Sequence, residues 1–224
     1  MFFKLFLADC TGKKSNVLYP NKVVVSSEDL LKEAVSKDHV CGEFVDGRRS
    51  NSNFIASDVI VMDCDNDHSE NPSDWITPKS LVETLADIDF VVVPSRHDML
   101  PKGNKTARPR FHIYFPIKEV TDAETYAGMK EAIHKKYPFF DDNALDAARF
   151  IFGTDVEEVT WNEGWSQIDD FISVEDAGHQ EELEGEFDGT IAEGSRNRTM
   201  SRYAGRLVTR FGATEKSLDR KSVV

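Results

Sequence analysis

Val59-Ile60-Val61-Met62-Asp63-Cys64-Asp65 is a short apolar run that ends abruptly in two acids. Four consecutive apolar residues, mostly β-branched, describe a buried central strand. Residues i and i+2 of a strand face the same way, so Asp63 and Asp65 project to one side at the strand's exposed end. Two anionic oxygen donors there suit a hard cation, Mg²⁺ or Mn²⁺. Acid pairs of this kind hold ions that clamp the attacking and leaving oxygens of phosphoryl and nucleotidyl transfer. A solvated turn running on through Asp67, His68 and Glu70 explains the same residues without any metal.

Working outward, strands and helices alternate. The N-terminal Met1–Leu7 is apolar but lacks a basic leader and a small-residue cleavage site, so it reads as a first β-strand and not a signal peptide. Ser27 caps an expected helix over 28–37, whose Leu30, Leu31, Ala34 and Val35 form one face. Thr77-Pro78 opens a second helix to about Asp87. Phe90–Val93 and Phe111–Phe115 read as two more buried strands. The capping box Thr121-Asp122-Ala123-Glu124 starts a helix to about Lys136. A further short helix fits Asp142–Phe150, and Ser195–Phe211 has helical spacing up to Gly212.

Charge is distributed unevenly. The net charge is −13, and residues 155–190 alone hold 13 acidic residues and no lysine or arginine, so the remainder is neutral. Residues 96–110 carry five basic residues against Asp98, and residues 191–224 carry eight against three. The overall acidity therefore belongs to one segment and does not exclude a polyanionic partner elsewhere. No stretch approaches the roughly 20 apolar residues of a membrane span. Cys10, Cys41 and Cys64 form no CxxC pair, which argues against a disulfide framework or a cysteine-built zinc site and for a cytoplasmic protein.

Four further groups bear on chemistry. In Arg108-Pro109-Arg110-Phe111-His112-Ile113-Tyr114-Phe115-Pro116, period two puts Phe111, Ile113 and Phe115 on a core face. Arg110, His112 and Tyr114 fall on a polar face that suits an anion, or that is simply a half-exposed edge. Phe139-Phe140-Asp141-Asp142 offers a third carboxylate, with Arg149 eight residues after Asp141 to orient it or bind phosphate. A helix N-terminus enriched in Asp explains the same acids. Ser95-Arg96-His97, continuing to Lys102, Lys105 and Arg108, is a basic loop suited to a triphosphate or a template backbone, or a mobile solvated hairpin. Arg198, Arg202, Arg206 and Arg210 recur every four residues, a stripe that is a solvated helix face or a DNA contact.

The order of these groups resembles the archaeo-eukaryotic primase superfamily, and more narrowly the primase-polymerase domains of phage, plasmid and mobile-element replication proteins. The resemblance rests on a strand ending in Asp63-Cys64-Asp65, a strand with His112, and Asp141 after an apolar pair. It covers roughly residues 40–155, with 193–212 similar to the start of a primase C-terminal helical module. It implies an α+β fold, with an RRM-like antiparallel sheet, flanking helices and an N-terminal α/β unit. It implies a catalytic domain over 1–155, an acidic linker over 156–192 and the start of the helical module over 193–224. Asp63, Asp65 and Asp141 would then bind Mg²⁺ or Mn²⁺, and His112 would bind the nucleotide, helped by Arg110, Arg149, Arg96, His97 and Lys105. DNA template, primer and nucleoside triphosphates would be the partners, in a bacterial or phage-infected cell. A helicase often follows such domains, and the ending Lys221-Ser222-Val223-Val224 falls inside the module's pattern, which fits a longer protein.

Two features depart from the family pattern. Arg110 stands two before His112 where many members carry a small residue, and Asp142 beside Asp141 leaves the third ligand ambiguous by one residue. A metal-dependent nuclease or relaxase-like initiator is the competing enzyme, although its His-x-His pair is here only His112-x-Tyr114. A non-catalytic template-binding module is the competing reading without chemistry.

Overall fold

A computed structural model of the chain describes residues 1–143 and 145–172. The expected helical module, the arginine stripe from Arg198 to Arg210 and most of the acidic linker lie outside the described residues. The elements run β1 (Phe3–Leu7), β2 (Asn21–Val25), α1 (Glu28–Val35), β3 (His39–Val40), β4 (Glu43–Phe44), β5 (Phe54–Cys64), α2 (Pro78–Thr84), β6 (Phe90–Pro94), β7 (Phe111–Val120), α3 (Ala123–Lys136), β8 (Phe150–Ile151) and β9 (Thr160–Asn162). They form a mixed αβ fold with one sheet ordered β2-β1-β3-β8 and a second ordered β4-β5-β7-β6-β9. Every strand pair in both sheets is antiparallel.

The deciding apolar run is the C-terminal half of β5, and it reads as continuous because the sheet is covered on both faces. Ile60, Met62 and Cys64 pack with Phe90, Val92, Phe111, Ile113 and Phe115 beneath α2 and α3, which contribute Leu81, Tyr126, Met129 and Ile133. Val59, Val61, Val91, Val93 and Tyr114 point the other way, into a cluster with Phe3, Leu5 and Val25 and with Leu31, Ala34 and Val35 of α1. Each fully buried Val or Ile contributes about 1.5–3 kcal/mol. A slip of one residue would exchange the two faces, so register is tightly held. That register sets Asp63 opposite His112 and Val61 opposite Tyr114.

The helix signals largely hold. Ser27 caps α1 by accepting from the Leu30 N–H. Thr77 and Ser80 cap α2 reciprocally, though the helix stops at Thr84. The cap of α3 is Asp122 and not Thr121: its carboxylate accepts from both the Glu124 and Thr125 N–H groups, and the helix begins one residue later. The described residues of 142–150 form no helix. Turns lead instead into the short edge strand β8, because partners distant in sequence compete for the backbone: Asn51 Oδ1 accepts from the Ala148 N–H at 3.0 Å and Arg49 donates to the Ala148 carbonyl at 2.8 Å. The sheet also continues past residue 155. Thr160–Asn162 adds the edge strand β9, and Ile168 is wholly buried in the core below.

Candidate active site

The site forms where β5 ends and β7 begins, beside Arg149 at the start of β8. Asp63 and His112 are cross-strand partners. An ionised carboxylate can only accept, so the His112 Nδ1–H donates to Asp63 Oδ1, at 2.8 Å. Arg149, just before β8, donates from Nη2 to Asp63 Oδ2 at 2.6 Å. Asp63 has only 8% of its side chain exposed. Burial alone would raise its pKa, but His112 and Arg149 hold the carboxyl well below the usual carboxylate range.

Asp65 lies two residues further on, just past the end of β5. Lys102 of the β6–β7 loop forms an ion pair with its Oδ2, and Arg110 Nε lies 3.7 Å from Oδ1. Asp141 reaches the same place from a different segment. Its backbone N–H donates to the Asp63 carbonyl at 2.9 Å. Burial, then the charges of Asp65 and Asp63, push the Asp141 carboxyl up to about 7. Asp142 is exposed and outside this cluster, so the residue that joins the β5 pair is Asp141.

The donors are of the kind a hard divalent ion takes, three carboxylates in one neighbourhood, and burial together with the charges of the other two raises the Asp141 pKa. Among the described residues, no three His, Cys, Asp or Glu side chains are disposed to chelate one ion together. The reason is visible in the partners. Asp63 is turned to His112 and Arg149 and Asp65 to Lys102, so an arriving cation would have to replace those positive groups.

The other expected nucleotide contacts separate. Arg110 is fully buried, with Nη1 donating to the Leu100 carbonyl at 2.7 Å. Its Nε and Nη2, like Arg149 Nε, make no hydrogen bond among the described residues. His97 sits near Arg96, Lys102 and Arg110, and burial and those charges lower its pKa. Lys105 is turned away to Glu70, at 2.5 Å. Arg96 is exposed, with its guanidinium over the Phe152 ring. Tyr114 is wholly buried, its hydroxyl 2.7 Å from His39 Nε2, so it belongs to the core and not to an anion site.

Two residues, Asn66 and Lys130, escaped the sequence reading, and Lys102 was named there without being singled out. Lys102 was one basic residue among several in an aperiodic loop, and only the fold selects it over Lys105. Asn66 makes the turn that ends the acidic pair: at φ +54° and fully buried, it donates to the Ile76 and Pro109 carbonyls at 2.8 Å and accepts from the Ile76 N–H at 2.7 Å. Asn tolerates this left-handed backbone better than most residues. Lys130 of α3 is buried beside the site, and burial, opposed by the charge of Asp63, brings its pKa down to about 8. The available signal was its place on the apolar stripe of Tyr126, Met129 and Ile133, where lysine is rare.

No protein-family model matches the chain, and no curated protein matches it. Among solved structures it is similar to the AEP domain of the primase-polymerase (PrimPol) of Cyanophage S-2L, at 11% identity and a TM-score of 0.39, over 73% of this chain and 82% of that one. Among the described residues no helix is long and apolar enough to cross a membrane.

Proposed function

We propose that the chain is a primase-polymerase that carries out DNA-templated nucleotidyl transfer in the replication of a phage or mobile element. The observation that carries this reading is the convergence of Asp63, Asp65 and Asp141, drawn from two distant segments, beside His112, Arg110 and Arg149. Mg²⁺ or Mn²⁺ held by the three carboxylates would supply the charge that clamps the attacking and leaving oxygens. Arg149 and His112 fix the Asp63 carboxylate from both oxygens. With Nδ1 committed to Asp63, Nε2 is the His112 nitrogen left for a triphosphate. Arg110 braces Asp65 and the β6–β7 loop, and its unbonded N–H groups favour a further anion nearby. Lys102 gives that loop positive charge over the site, and His97 lies beside it as a neutral hydrogen-bonding group. The run β5–α2–β6–β7–α3, with β5 and β7 adjacent, is consistent with the RRM-like core that the resemblance implies. Template, primer and nucleoside triphosphates are the proposed partners, and a helicase the proposed neighbour.

The test is nucleotide incorporation on a primed template with Mg²⁺ or Mn²⁺, comparing the wild type with Asp63→Ala/Asp65→Ala. Template-dependent extension by the wild type and its loss in the double variant are expected. Cutting of the template without extension would favour the nuclease reading, and neither activity would leave a binding module.

A further inference from the structure

Phe150 and Phe152 straddle the edge strand that leaves the site, and both are half-buried. Their ring centroids are 4.8 Å apart at 74°. Phe150 packs on a core cluster with Phe6, Val40 and Phe44, whereas Phe152 joins none of the apolar clusters. Instead the guanidinium of Arg96 lies over its ring, 3.7 Å from the centroid, and the guanidinium of Arg49 lies 4.9 Å from the Phe150 centroid. Two arginines and two aromatic rings thus form one continuous surface.

Both segments that build this surface run straight out of the carboxylate cluster. Phe152 is three residues after Arg149, which pairs with Asp63. Arg96 is three residues after Val93, which pairs across the sheet with His112. Three extended residues span at most about 10 Å, so the surface lies within about three stacked nucleotides of the site.

We propose that the Arg96–Phe152–Phe150–Arg49 surface is a stacking track for the unpaired template strand, a reading that rests on the templated function above for the strand's role. Base stacking on aromatic and guanidinium planes is tolerant of sequence, and arginines between stacked bases meet the phosphates. The length of the track selects a polymer over a mononucleotide. Arg96 also lines an open cleft of about 430 Å³ together with Asp98, Asp155, Glu157 and Glu158. Those acids repel phosphate and keep a second backbone off that flank, which favours a single strand over a duplex.

The experiment is fluorescence anisotropy of a labelled oligo(dT) with the full chain, without nucleotide or metal, so that binding is read apart from catalysis. Phe152→Ala and Arg96→Ala should each weaken single-strand binding about tenfold, with Phe152→Trp keeping it near the wild type. Arg96→Ala should also lower the salt dependence, which Phe152→Ala should not. Circular dichroism checks that the variants fold; Arg96 is exposed, and Phe152 is half-buried outside the core clusters. Unchanged affinity in both variants, no single-strand binding by the wild type, or an equal loss for blunt duplex would each overturn the proposal. Phe152-dependent binding in a chain that fails to extend primers would support the track and overturn only the polymerase reading.

Discussion

Arg108 and Arg110 stand two residues apart at the mouth of β7, both fully buried, and the chain uses them in opposite ways. Arg108 is completely bonded. It donates to the Asn66 and Ser69 carbonyls at 3.0 and 3.2 Å, to Glu70 at 2.6 Å and to Thr106 Oγ1 at 3.0 Å, and stacks on Trp75. Arg110 has one good hydrogen bond, two unbonded nitrogens and two carboxylates at 3.6–3.7 Å. Around Arg108 every charge is matched. Arg110 faces Asp65 and Asp67 without a hydrogen bond to either, and Asp65 with Asp63 and burial makes the neighbouring Asp141 carboxyl resist ionising. A buried arginine is therefore not by itself a sign of function; an incompletely bonded one beside crowded like charges is.

The largest expected effect comes from removing the crowding. Asp141→Asn should lower templated extension a hundredfold or more, while the folded chain becomes more stable at pH 8. The carboxyl holds its proton more tightly folded, at about 7, than unfolded, near 3.8. Its contribution to stability is full below pH 4 and lost as pH rises through 7, on the order of 2 kcal/mol after solvent screening. Urea midpoints at pH 5 and 8 without divalent ions should show that slope in the wild type and not in the variant. Added Mg²⁺ should recover the loss only in the wild type.

Next is the contrast itself. Arg108→Met should cost about 3 kcal/mol, since several buried hydrogen bonds disappear together. Arg110→Met should stay within about 1 kcal/mol of the wild type, because a poorly bonded buried charge gives way to an apolar stem, yet extension should fall. Equal losses of stability in chemical denaturation would break the comparison.

The smallest effect extends the closed class to His39. Both of its ring nitrogens are bonded, to the Lys37 carbonyl at 2.8 Å and to Tyr114, and burial brings its pKa down to about 4. The unfolded chain takes up a proton near 6.5 that the folded chain refuses, so stability is present above 6.5 and lost as pH falls toward 4. Between pH 6.5 and 5 the loss should be about 2 kcal/mol, and His39→Gln should flatten that part of the profile in urea titrations.

Much of the sheet was legible in the chain. The run Val59–Met62, the period-two pattern Phe111–Phe115 and the caps at Ser27 and Thr77 depend on neighbours in sequence, and each marks a real element. The helix expected over 142–150 failed because Arg49 and Asn51, about a hundred residues away, bond the Ala148 backbone more favourably than a helical turn could. The candidate site was legible in the types of its residues, Asp63, Asp65, His112 and Asp141, but not in their partners.

The sequence by itself determined the alternation that buries β5 and β7, and with it the side on which Asp63 and His112 must emerge, since periodicity and apolar burial are local and strong. Only the tertiary structure decided that Asp141 and not Asp142 joins them, that Lys102 and not Lys105 meets Asp65, and that Arg108 is closed while Arg110 is open. Those choices turn on hydrogen bonds and charges between residues tens of positions apart, whose energies depend on distance and burial that no spacing rule contains.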